Sequence, residues 1–284
     1  VIELGPNRYG KQAIRLVRLI REGERHTVRD LTVAVMLDGE FAAAHTDGDN
    51  ADVIATDTMK NTVYAFAREH LTGAIERFGH VLATHFLAMD PVATATVSID
   101  EHRWSRLATP GGDALDAFLR TGDLVRTAVV TSAADRDTYE SGLRDLTVMK
   151  TTKSAFAGFP RDRYTTLREV DDRIMATKIR ATWRYALAGF EPGDFDFDGT
   201  WSAVYATLLE VFAEHHSRSV QESIWIVGRA ILERHAEVEE VRMALPNLHH
   251  WLVDLSPFGQ ANPNEVFVAT TEPHGLIEAT VRRT

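Results

Sequence analysis

Residues 245–255 read LPNLHHWLVDL, with Asn247 and His249 two positions apart. In a strand that spacing puts an amide and an imidazole on one face, between Leu245 and Trp251. Buried on an apolar row, both groups need hydrogen-bond partners. The row is either a satisfied polar pair in a core or a half-solvated edge marked by Pro246. A second candidate is VIATDTMKNTVY, residues 53–64, where an apolar run meets Thr56, Asp57 and Thr58 just before a helical pattern. Thr and Asp at a helix start accept hydrogen bonds from free backbone N–H groups and suit the positive end of the dipole. One cap is enough for a helix, and the same N-terminus can hold an anionic ligand. Capping and ligand binding are both open to these three residues.

Other patterns lead nowhere. DFDFDG at 194–199 has Asp194, Asp196, Asp198 and Gly199 in the register of a calcium loop, but Tyr205 stands where a bidentate Glu is required. An acidic turn capping a following helix fits better. His215-His216 and His249-His250 are adjacent pairs, and strand neighbours point to opposite faces, so His249 and His250 cannot share one metal. Zinc sites draw on three or four convergent ligands, and no such set is visible. No G-x-G-x-x-G follows a strand and there is no P-loop. These patterns therefore offer neither a metal-ligand set nor a nucleotide-phosphate cradle.

Composition narrows the classes further. The chain has 284 residues, 44% hydrophobic and 25% charged, enough for one large or two ordinary domains. A net charge of −10 argues against nucleic acid or an anionic membrane as the main partner. The absence of cysteine excludes disulfides, thiolate metal sites and cysteine nucleophiles. No apolar run is long enough to span a bilayer, and neither a signal peptide nor a C-terminal peroxisomal signal is present in the sequence. A cytoplasmic protein is expected.

The candidate residues must be positioned by an order of elements that occurs twice. Strands are predicted at 8–21 and 27–37, the second with Leu31, Val33, Val35 and Leu37 alternating. A helix from about Thr58 places Met59, Thr62, Val63, Phe66 and Ala67 at helical spacing. A second helix carries Ile75, Phe78, Leu82, His85, Phe86 and Met89 on one face. Strands are expected again at 94–107 and 124–132. After the polar stretch 132–142 come strands near 143–153 and 177–187, helices near 201–216 and 219–235, and strands in 239–255 and 265–283. Short connections imply antiparallel sheets with a helix pair on one face. The fold class is α+β, with domains at 1–136 and 137–284, each a four-stranded antiparallel sheet with two helices.

Six stretches then combine: YGK (9–11), ATDTMKNTVY (55–64), LTVMKTTKSAFAGFPRDRYTTLREVDDR (146–173), SVQ (219–221), LPNLHH (245–250) and NPNEVF (262–267). Together they resemble the urate oxidase (uricase) family, in order and over essentially the whole chain. Within the central block Lys150, Phe156, Phe159, Tyr164, Leu167 and Arg173 fall at signature positions. The resemblance implies two tandem tunnelling-fold (T-fold) domains per chain and a homotetramer around a β-lined tunnel. It implies oxidation of urate by O₂ and water to 5-hydroxyisourate and hydrogen peroxide, without cofactor. Phe156 would stack on the purine, Arg173 and Gln221 would clamp it in plane, and Val220 would add backbone contacts. Asn247 would face the O₂ or water site. Lys11, Thr56 and His249 would form the proton relay, and Asp57 would meet the ligand edge opposite Arg173. The two sets of residues would meet across a subunit interface.

The chemistry of these residue types agrees. Urate is a flat anion with donors and acceptors around its rim, suited to a guanidinium fork, a Gln amide and an aromatic face. Its dianion can pass electrons directly to O₂, leaving the protein to remove protons and hold the reactants. A lysine acts as base when burial or a positive field depresses its pKa, and a Thr hydroxyl can relay the proton. On that reading Thr56 and Asp57 meet substrate and Thr58 is left to cap. One departure is Leu248, where the family often has Lys; as a strand neighbour of the Asn–His pair it is expected to point away from the ligand. The alternatives are another T-fold purine or pterin enzyme, zinc-dependent in some cases, and a non-catalytic purine-binding protein.

Overall fold

Alternation of apolar residues builds the strands and a 3.6-residue period builds the helices covering them. The computed structural model describes residues 2–187 and 193–284. The chain divides into two compact units, one of residues 1–142 with 184–201 and one of residues 143–183 with 202–284.

In the first unit β1 (Tyr9–Glu22), β2 (Arg25–Gly39), β3 (Val92–Thr109) and β4 (Gly112–Ala133) form consecutive antiparallel neighbours. The alternating Leu31, Val33, Val35 and Leu37 of β2 are fully buried. A short α1 (Ala42–Thr46) precedes α2 (Thr56–His70) and α3 (Ile75–Leu87). Met59, Val63 and Ala67 of α2 and Ile75, Phe78, Leu82 and Phe86 of α3 supply the helical side of the core. β3 and β4 run on as a long hairpin through 112–123, a Gly- and Asp-containing stretch whose composition does not announce a strand. At the end of this unit the acidic turn caps α4 (Phe197–Glu214): Gly199 N–H donates to Asp196 Oδ1 at 2.9 Å. Asp198 accepts from Arg126 at 2.6 Å, so its carboxylate serves an ion pair.

In the second unit the strand order is β5 (Asp137–Lys150), β6 (Met175–Tyr185), β7 (Val238–Leu248), β10 (Gly275–Arg282). From residue 202 onward α4 buries Val204, Leu208, Val211 and Phe212, and α5 (Val220–Arg234) buries Val220, Ile224, Val227 and Ile231. These are the faces that the sequence periodicity predicts. Gly228 lets α5 approach its sheet closely, since a Cβ there would lie 2.7 Å from a methyl of Val281 on β10. The two strands expected in 239–255 and 265–283 are each broken. β7 stops at Leu248, and His250–Leu252 forms β8, which pairs with β9 (Phe267–Ala269) in a separate two-stranded sheet. Pro273 has no N–H to offer a ladder, so β9 cannot run straight into β10. Among the described residues no helix is long and apolar enough to cross a membrane.

Candidate active site

In the second unit three stretches far apart in sequence lie side by side through backbone hydrogen bonds. Ala155 N–H donates to Ser217 O at 2.7 Å, and Ser217 N–H donates to Lys153 O at 2.9 Å. On the other side Phe156 N–H donates to Val170 O at 2.8 Å, and Arg173 N–H donates to Ser154 O at 2.8 Å. Phe156 and Arg173 are thereby neighbours, with the guanidinium carbon 5.2 Å from the ring centroid. Ser217 leads to Ser219, which caps α5 by accepting from Glu222 N–H at 3.1 Å. Val220 and Gln221 are therefore the first residues of that helix.

Buried side chains fix this junction. His215 Nδ1 lies 2.7 Å from the carbonyl of Val211, an acceptor only, so Nδ1 carries the proton. Its Nε2 then accepts from the Ser223 hydroxyl at 2.9 Å, and Ser223 Oγ is 2.8 Å from Ser217 Oγ. Burial pushes the His215 pKa down, and the charges of Lys150 and His216 push the same way. The Lys150 ammonium donates to the His215 carbonyl.

These elements enclose a cavity of about 370 Å³ whose wall includes Phe156, Arg173, Val220, Gln221, Asn247 and His249. The remaining wall is largely apolar, with Leu167, Val170, Ile174 and Ile277. Arg173 is half-buried, and its Nε has no hydrogen-bond partner. Among the described residues no carboxylate pairs with it, and burial lowers its pKa. His249 stacks on Trp251 with centroids 5.1 Å apart. Its pKa is depressed by burial, then by the charges of Arg173 and His274. The arrangement suits a flat anion: a cation without a counter-ion, an aromatic face and amides at the rim.

Leu248 is also among the residues that line the cavity. His249 sits between β7 and β8, in neither strand. His250, the first residue of β8, lines the cavity as well.

The structure places Lys11, Thr56 and Asp57 in the first unit. Lys11 pairs with Val35, and a bulge follows at once, with Ala13 at φ 57° and the register resuming at Ile14. Thr56 and Asp57 form the first turn of α2, and the cap is Ala55 with no side-chain hydrogen bond. The expected capping by Thr58 is thus corrected: the helix starts two residues earlier, and Thr58 is already inside its first turn. Asp57 binds Lys60 and, at 2.9 Å, Asn61. The Lys60 ammonium, with smaller help from Asn61 and the charge of Lys11, holds its carboxyl below the usual carboxylate range.

Sequence reading passes over Ser217 and Ser223 and weighs His215 only as a metal ligand; their role comes from backbone pairings between segments some 60 residues apart. The only local signal is the run SRS before an apolar helix, the mark of a capped N-terminus. Among the described residues no group of three or more His, Asp or Glu converges to hold a metal ion.

Two α+β units rich in antiparallel strands, one carrying an anion-suited cavity, define the chain as a tandem T-fold protein. The family model described as Uricase matches residues 7–131 and 139–278. The uricase of Arthrobacter globiformis is 47% identical over 283 residues, covering 99% of this chain and 90% of the relative. That of Dictyostelium discoideum is 37% identical, covering 98% and 96%. The crystal structure of the Arthrobacter globiformis uricase superposes with a TM-score of 0.93 over 100% of this chain and 96% of the other. The chain belongs to the uricase family and is an oxidoreductase with urate oxidase function.

Proposed function

We propose that urate binds in the second-unit cavity and is oxidised there by O₂ without metal or organic cofactor. The observation that carries this reading is Arg173, a half-buried guanidinium with no acidic partner among the described residues, beside the ring of Phe156. Such a cation is stabilised by an anionic ligand presenting two acceptors in one plane. Phe156 stacks on the purine, Gln221 completes the in-plane clamp, and Val220 contributes its free backbone N–H at the start of α5. Asn247 and His249 face the reacting side of the ring, Asn247 towards O₂ or water.

Lys11, Thr56 and Asp57 complete the site from a second copy of the chain, in a homotetramer with shared active sites. Lys11 takes a proton from urate through the Thr56 hydroxyl, and His249 joins the relay. The electron-rich dianion gives two electrons to O₂, which takes up two protons and leaves as hydrogen peroxide. Water supplies the oxygen that bonds to the purine, giving 5-hydroxyisourate; urate, O₂ and water are consumed one for one. Two domains at 1–136 and 137–284 divide these tasks, the first supplying the base and the second the binding clamp.

The test is to mix metal-stripped protein, urate and air and follow urate absorbance with peroxide formation. Loss of urate matched by peroxide, unchanged by chelators, is the expected result. Activity that vanishes on exhaustive chelation and returns with one metal would overturn the cofactor-free mechanism.

A further inference from the structure

Lys11 and Thr56 must face the same proton, yet they sit on different segments of the first unit, and residues 53–55 before Thr56 belong to no helix or strand. Next to these residues, the side chain of Tyr9 joins the two segments; further along, Arg18 of β1 donates to the Ala67 carbonyl of α2 at 2.8 Å. The Tyr9 hydroxyl donates to Ile54 O at 3.1 Å and accepts from Ile54 N–H at 2.7 Å. Tyr9 lies two residues before Lys11, and Ile54 two residues before Thr56. The Tyr9 ring stands edge-on to Phe41 at 4.7 Å, and Phe41 is buried. Between Tyr9 and Lys11, Gly10 brings β1 so close to β2 that a Cβ there would lie 1.9 Å from Val35 O. The Lys11 backbone is thus set by the sheet, whereas the approach to Thr56 is held to it by the phenol. Burial raises the Tyr9 pKa, so the hydroxyl keeps the proton it donates.

We propose that Tyr9 is a positioning residue for urate oxidation, holding the Thr56 end of α2 in register with Lys11 through its two bonds to Ile54. It touches no substrate in this role, which rests on the Lys11–Thr56 relay of the proposed function. Proton transfer requires hydrogen-bond geometry, so a small drift of Thr56 lowers turnover without removing the purine clamp on the second unit.

The test is Tyr9→Phe, which keeps the ring against Phe41 and removes only the hydroxyl. Turnover should fall about tenfold to a hundredfold, while binding of xanthine, used as an analogue, stays within about twofold. Hydrogen exchange at the Ile54 amide should accelerate. Phe41→Leu is the control: it removes ring packing but leaves the hydroxyl, so it should lower thermal stability with turnover nearly unchanged. The proposal is overturned if Tyr9→Phe retains wild-type turnover, or if Phe41→Leu loses turnover as severely. Failure of the wild-type protein to oxidise urate would instead overturn the functional reading, so the two failures are distinguishable.

Discussion

The two charged residues proposed to meet opposite edges of the ligand, Asp57 of the first unit and Arg173 of the second, are built in opposite ways. Asp57 is exposed, satisfied by Lys60 and Asn61 on its own helix, and stands on the open first turn of α2. Arg173 is half-buried, unpaired among the described residues, and backed by a ladder of backbone bonds from three segments. A cation left without a counter-ion gains most from a ligand that brings one. An exposed carboxylate already bonded to its neighbours gains little from a ligand by itself and is suited to orienting one held elsewhere. On the proposed reading the charged clamp is Arg173 of the second unit, while in the first unit Asp57 meets a ligand edge and Lys11 takes the proton.

This contrast breaks most visibly at Lys11. Lys11→Met should lower turnover about 10²- to 10⁴-fold while an analogue binds almost as before, because general-base assistance acts only in the transition state. Arg173→Ala should weaken analogue binding itself by about 1.5–3 kcal/mol, the value of a hydrogen bond to a charged group. Isothermal titration with the analogue separates the two, and equal loss of affinity in both variants would erase the division of labour.

Co-expression sharpens the comparison. If each site draws its halves from different chains, random assembly of Lys11→Met with Arg173→Ala leaves about one quarter of sites with both native residues. Activity should return to roughly that fraction. Mixed oligomers no more active than the separate variants would show that the halves are not shared.

The smallest effect concerns His249. Its pKa is depressed by burial first and by Arg173 and His274 next. Because the folded value lies below the unfolded one, the neutral ring favours the folded state above pH of about 6.5, and that contribution is lost as pH falls through the folded value. Arg173→Gln should raise the His249 pKa toward its ordinary value while leaving that of His215, governed by burial, unmoved. NMR titration of the two imidazoles measures both.

Much of the second unit's helical core was legible in advance. Ile224, Val227 and Ile231 declare the buried face of α5 by spacing alone, and Leu31 to Leu37 do the same for β2. The start of α2 was not, because Ala55 caps it through backbone geometry and gives no side-chain signal. Nor was the break between β7 and β8, since nothing local marks His249 as the end of a strand.

By itself the sequence determined the strand and helix periods, the buried faces and the motifs that mark a uricase. These depend on side-chain type at short range, where each residue's preference acts on its immediate neighbours. The tertiary structure alone decided that 153–156 lies between 170–173 and Ser217, placing Phe156 and Arg173 against the first turn of α5. It also decided that the Tyr9 hydroxyl meets Ile54, forty-five residues away. Each of these contacts has a backbone group on at least one side, which every residue carries alike, so the partner is chosen only when the packed core closes the loops between them.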